Sequence, residues 1–118
     1  MAQFKFILWL AYWYLQNDLF EFEWDQGNLY KSKDKHDVSP GEIESVFELK
    51  LGVPLGHQVS PHVEEERLCI VGPSSEGRMI SVVFSLRDGR VRPISGRDAS
   101  RKERKLYEEV RKTLEKLR

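Results

Sequence analysis

Cysteine is almost missing from this 118-residue chain. Cys69 stands alone, so neither an intramolecular disulfide nor a thiolate zinc ribbon can form, and a reducing compartment, the cytoplasm, is expected. Histidine is scarce as well, at three. His57 and His62 lie near Glu64, Glu65 and Glu66, but the spacing fits no familiar ligand template, so no metal is expected. No glycine-rich phosphate loop, Gly-x-Ser-x-Gly elbow or Ser/Cys/His nucleophile set occurs, and no cofactor is expected. A membrane-length apolar run is also absent: Phe6 to Leu15 is about half the roughly 20 residues a spanning helix needs. Net charge is missing too, with 19 Lys+Arg against 19 Asp+Glu.

That zero is a sum of opposites. Residues 21–66 carry eleven acids and four bases, a net of −7; residues 67–118 carry seven acids and fourteen bases, a net of +7. A basic surface for a polyanion therefore remains open. Hydrophobic residues at 40% and charged at 32% describe one folded domain with a single core.

Residues 1–24 hold nine of the thirteen aromatics. Residues 1–19 read as a hydrophobic, aromatic extension and 20–118 as one domain. Three readings stay open for the extension: a membrane or export segment, a packed extra strand or helix, or a start codon placed too early. The first lacks a basic start and a small-residue cleavage site. The third would put the natural start at Leu10, Leu15 or Leu19.

Phe20, Phe22 and Trp24 alternate with Glu21 and Glu23, which predicts a half-buried strand. Asp25 is expected to cap a helix running to about His36. Ser39, Pro40 and Glu42 predict a second helix through a capping box, with Ile43, Val46 and Phe47 on one face. Lys50 to Val63 reads as a short strand and a loop. Strands are predicted at Arg67–Val71, Met79–Leu86 and Val91–Ser95, the last two joined by the Asp88-Gly89 hairpin turn. Pro93 cannot donate a ladder hydrogen bond, which makes the last strand an edge or locally irregular. Ser100 and Glu103 form another capping box, and Leu106, Val110, Leu114 and Leu117 line one side of a closing helix. The fold class is α+β: an antiparallel sheet of about four strands, helices before it and one after.

Three features bear on chemistry. Lys35 and His36 end the first predicted helix, either as a solvated basic end or as a functional pair. Arg67 follows three acids, as a salt-bridge partner or a phosphate ligand. Arg87, Arg90, Arg92, Arg97, Arg101, Lys102, Arg104 and Lys105 spread from the hairpin into the last helix, as a basic face or a phosphate-tracking groove. A titratable His beside fixed cations is what metal-free RNA cleavage requires.

At these residues the chain resembles the BrnT toxins of bacterial type II toxin–antitoxin systems. The resemblance is carried by Phe22-Glu-Trp24-Asp25-Gln-Gly27-Asn28, by Lys31 to Lys35-His36, and by Val38-Ser39-Pro40 through Phe47. It continues in His62 to Arg67, Gly72, Gly77-Arg78, Val91 to Asp98, and Ser100 to Arg104 with Tyr107. The family usually has Asn at Ser32, Gly at Asp37, Ser at Val63, an aliphatic residue at Pro93 and Ala at Gly96. The extension before Phe20 has no counterpart in it. The resemblance implies a RelE-like ribonuclease toxin neutralised by a ribbon-helix-helix antitoxin, the complex reaching operator DNA through the antitoxin. It also implies His36, Arg67, Arg97 and Lys35 as catalytic residues, with His62 as a further candidate. Arg92, Arg101, Lys102 and Arg104 are expected to hold RNA, and no membrane association is expected. A catalytically idle, antitoxin-binding member is the alternative.

Overall fold

A computed structural model describes residues 2–116. The elements in chain order are β1 (Gln3–Lys5), α1 (Leu8–Gln16), α2 (Lys31–His36), α3 (Pro40–Glu48), β2 (Val53–Ser60), β3 (Leu68–Pro73), β4 (Met79–Arg87), β5 (Arg90–Asp98) and α4 (Arg101–Lys116). The five strands form one antiparallel sheet in the order β1-β2-β3-β4-β5. The class is the α+β expected, with one strand more than four, because the extension contributes β1.

Alternation along the strands divides the apolar residues between two faces. Ile70, Ile80, Val82, Phe84 and Val91 face Val38, Ile43, Val46 and Phe47, with Leu10 and Tyr14 of α1 completing that core. Cys69, Val71 and Ala99 face the other way, packed by Phe4, Leu55, Met79, Val83 and Tyr107. Phe47 sits edge-on to Phe20, Phe22 and Phe84, an arrangement that suits the ring quadrupoles.

Residues 3–16 are thus built into the sheet and the core. Tyr14 is held at both ends of its hydroxyl, donating to the Val46 carbonyl at 3.1 Å and accepting from the Gly52 amide at 2.9 Å. β1 approaches β2 so closely that only glycine fits at position 56: a Cβ there would lie 1.8 Å from the Lys5 carbonyl oxygen, and its φ is +126°. Among the described residues no helix is long and apolar enough to cross a membrane.

Two predicted elements need correction. Residues 20–24 form no strand; Phe22 makes a single parallel bridge to Val91. The Glu23 amide donates to the Val91 carbonyl and the Val91 amide to the Glu21 carbonyl, both at 2.8 Å, so this segment covers the outer edge of β5. Asp25 likewise opens no helix. It closes a local turn: its Oδ1 accepts from the Gly27 amide, and its own amide donates to Asn28 Oδ1, both at 2.8 Å. Asn28 Nδ2 then donates to the Glu23 and Pro93 carbonyls at 3.0 and 2.9 Å. One turn closes here, with the Asn28 and Leu29 amides donating to the Asp25 carbonyl at 3.2 and 2.9 Å, and the helix starts only at Lys31. It ends at Asp37, which takes the left-handed conformation (φ 56°).

α3 starts as predicted, with Ser39 Oγ accepting from the Glu42 amide at 3.1 Å and Pro40 in the first turn. The Glu42 side chain, however, does not close the capping box. Its buried carboxylate accepts from Ser74 Oγ at 2.6 Å and from Arg78 Nε and Nη2, both at 2.7 Å. A carboxylate with so little water needs a full cation, and a backbone amide is not enough. The Lys50–Val63 region holds a full eight-residue strand, β2. The Asp88-Gly89 turn has positive φ at both residues, as a primed hairpin turn requires. In α4 the capping box is reciprocal: Ser100 N donates to Glu103 Oε1 at 2.8 Å and Glu103 N to Ser100 Oγ at 3.1 Å. Leu117 and the Leu114 side chain lie outside the described residues.

The burial of Leu10 yields a test of the extension's role. Leu10→Ala should destabilise the full chain by about 2–4 kcal/mol in urea unfolding, the range for a large core truncation. An unchanged midpoint would mean that α1 is not part of the core.

Candidate functional site

The site depends on a one-residue bulge in β5. Phe84 pairs with Pro93, but Val83 pairs with Ser95, leaving Ile94 unmatched. Because side chains alternate with period two, the extra residue reverses the facing of everything after it. Arg92, opposite Ser85, and Arg97, opposite Ser81, therefore lie on the same face despite their odd separation. Gly96, opposite Val82, turns instead to the α3 core, where a Cβ would meet Ile43 at 2.8 Å. Glycine thus fits the room left by Ile43. Its amide donates to Ser32 Oγ at 2.8 Å, which fastens α2 to β5. Pro93 satisfies both sequence expectations, standing on an edge strand and beside an irregularity.

On the face that receives Arg97, a groove of about 660 Å³ runs between the sheet, α2 and the start of α4. Lys31, Arg67, Arg97 and Lys102 supply four cations to it and Glu103 one carboxylate; Gln58, Phe4, Leu55 and Leu106 also line it. Of the expected site residues, Arg67, Arg97 and Lys102 line this groove together. Among the described residues Arg67, Lys31 and Lys102 enter no ion pair, so the groove keeps a positive excess. Of the acidic run before Arg67, Glu65 is engaged elsewhere: Arg87 is bidentate to it at 3.0 and 3.1 Å and holds its carboxyl down at about 2.

Arg97 is held in place. Its Nη1 and Nη2 donate to Glu103 at 2.9 and 3.1 Å, and Nη1 also donates to the Asp98 carbonyl at 3.0 Å. Three of five guanidinium donors are used, and two remain for a ligand. Glu103 also accepts from Ser81 Oγ at 3.0 Å. Burial pushes the Glu103 carboxyl upward, but Arg97, the Ser100 amide and Ser81 together bring it below the usual carboxylate range. Cys69 lies beneath this face, against Ser81 Oγ at 3.4 Å; burial pushes its thiol up to about 12, which removes it as a nucleophile.

The remaining expected site residues lie outside the groove lining. Lys35 and His36 are exposed on α2, Lys35 one turn beyond Lys31 on the same flank. His62 is exposed after β2, and Arg101 and Arg104 are exposed on α4. Arg92 is bidentate to Asp25 at 2.8 and 3.2 Å; its donors hold the Asp25 carboxyl below its usual range. Sequence reasoning did not single out Lys31, Gln58 or Phe4 as site residues. Lys31 stood in the matching block beside Lys35, a signal that was present, whereas Gln58 and Phe4 join the groove only through β1–β2 pairing.

A family model described as the ribonuclease toxin, BrnT, of type II toxin-antitoxin systems matches residues 24–103. No curated protein matches the chain. The matched span includes every charged residue of the groove; β1 and α1 precede it.

Since Glu103 has a depressed folded-state pKa, its contribution to stability is present above the ordinary value near 4.5 and is lost as pH falls through the folded value. Glu103→Gln should cost about 1–2 kcal/mol at neutral pH, discounted because Arg97 is partly exposed, and should flatten the acid limb of the stability curve. Urea titrations of both proteins across that limb would show it; parallel curves would exclude the role.

Proposed function

The chain belongs to the BrnT family of ribonuclease toxins of type II toxin–antitoxin systems, and on that premise we propose that it cleaves RNA in the groove between β5, α2 and α4 without a metal ion. The observation that carries this reading is the convergence of Arg67, Arg97, Lys31 and Lys102 on one groove. In this RelE-like scheme Arg67 and the two free donors of Arg97 hold the scissile phosphate, and Lys31, Lys35 and Lys102 track the flanking phosphates. Arg101 and Arg104 extend the basic surface along α4, and Arg92 steadies the β5 edge through Asp25.

The reaction is a transesterification. A base takes the proton of the 2′-hydroxyl, the 2′-oxygen bonds to phosphorus, and the guanidinium groups stabilise the charge on the phosphorane. The bond to the 5′-oxygen then breaks as an acid protonates it, leaving a 2′,3′-cyclic phosphate and a 5′-hydroxyl. His36 supplies the imidazole for proton transfer in this scheme. It lies about 7.5 Å along the α2 axis from Lys31, so a strand following α2 out of the groove reaches it. His62 takes no part in this scheme.

The hold of Glu103 on Arg97 favours a second reading, in which this copy is catalytically idle and presents the basic groove to its antitoxin. The antitoxin partner in either case is a ribbon-helix-helix protein that contributes acidic side chains to the groove and carries the contact with operator DNA.

Expression without antitoxin should arrest growth and fragment RNA, with products ending in a cyclic or 3′-phosphate and with cleavage unaffected by a chelator. Arg67→Ala and Arg97→Ala should each slow cleavage about 10²–10³-fold, as loss of a charge-stabilising donor does. His36→Ala should slow it about 10²–10⁴-fold. A harmless wild type that leaves RNA intact with and without ribosomes would sink the catalytic reading. Retention of a small DNA-binding partner by that inactive protein would favour the second.

A further inference from the structure

α1 has no polar face. Residues 6–16 contain no charged side chain, yet only Leu10 and Tyr14 of the helix are fully buried. Leu8, Tyr12 and Leu15, spaced i, i+4 and i+7, form an outward stripe that is 63%, 56% and 67% exposed, flanked by Trp9, Phe6 and Leu19. The helix is firmly mounted: Tyr14 is bonded on both sides, and Lys50 Nζ donates to the Leu15 carbonyl at 2.8 Å and to that of Asn17. Its C-terminal end is tied down, while its outer apolar face is covered by nothing among the described residues.

We propose that this stripe is a pairing surface for a second copy of the same chain, with two α1 helices crossing antiparallel about a twofold axis near Ala11 and Tyr12. The residue order is self-complementary, which an interface with twofold symmetry requires. Leu8 of one copy meets Leu15 of the other, and the tyrosines meet at the centre. Lys5 before the stripe and Asp18 after it carry opposite charges, so the same crossing sets unlike charges together at each end. The six exposed side chains offer roughly 700 Å² per copy, near the 800 Å² a side of a standard stable interface and above what a monomer usually leaves bare. An interfacial lipid helix would need a basic polar face, which α1 lacks, since its other face is the core. The groove lies on the opposite side of the sheet from Leu10 and Tyr14, so pairing leaves it open in both copies.

Sedimentation of the full chain from low to high micromolar concentration should show a reversible dimer. Leu8→Glu should raise its dissociation constant about a hundredfold or more. The Tyr12→Cys variant, with Cys69 buried, should cross-link to its own copy through a bifunctional maleimide, a readout that stands even if Leu8→Glu fails to fold. A chain that stays monomeric throughout, with no cross-link formed by the Tyr12→Cys variant, overturns the proposal. So does a monomer that instead floats with phosphatidylcholine vesicles, or one whose stripe is shielded only when antitoxin is bound. RNA cleavage by the wild type plays no part in these readouts.

Discussion

The bulge at Ile94 is the constraint on which the site depends. An unbroken β5 would keep Arg92 on the groove face and turn Arg97 into the apolar layer under α3, where a guanidinium has no partner. Inserting one residue keeps Val91 and Pro93 facing the core, then moves Gly96 into that layer and Arg97 out of it. Three residues, Ser32, Pro93 and Gly96, gather around that reversal. Pro93 withholds an amide where the ladder shifts, Gly96 makes room for Ile43, and Ser32 accepts the Gly96 amide. Together they describe one local solution to packing α2 and α3 against a bulged edge strand.

Glu103 shows how a structural motif and a functional position share atoms. Its backbone and one oxygen close the capping box of α4, while both oxygens take the Arg97 guanidinium. The start of the helix is thereby tied to the end of the strand, and Arg97 is held across the groove mouth with three of its donors occupied. An arginine positioned this way needs little reorganisation to meet a phosphate, but it also has less charge to offer one. Catalytic and idle readings of this copy both grow from that one geometry.

Much of this was legible from the chain. The capping signals at Ser39 and Ser100, the Asp88-Gly89 turn and the edge position of β5 rest on local chemistry, and local chemistry is what a sequence displays. The failures are tertiary. Asp25 carries a good helix-capping signal, but Asn28 is drawn to the Glu23 and Pro93 carbonyls, and Pro93 is 65 residues away. Glu42 carries a good capping-box signal, but Arg78 offers its carboxylate a full charge where the amide is neutral. The alternation of Phe20, Phe22 and Trp24 is real, yet it reflects packing against Phe47 and the β5 edge without a ladder. Of the site, the cations were visible as a basic second half; which of them would be left unpaired was not.

That selection shows how a chain of zero net charge comes to hold a basic groove. Acids of the first half meet arginines of the second: Glu21 with Arg90, Asp25 with Arg92, Glu42 with Arg78 and Glu65 with Arg87. Part of the segregation of charge along the chain is thus an intramolecular pairing of four acids that fastens the N-terminal segments onto the sheet. Exposed pairs of this kind add little stability individually, and Glu42–Arg78 is the one buried enough to matter to the fold. The groove is the remainder: Arg67 and Lys102 have no acidic partner among the described residues, Lys31 joins them from the acidic half, and Arg97 is only partly neutralised. A polyanion site therefore arises in a neutral protein because the fold gathers four cations on one groove with a single carboxylate among them.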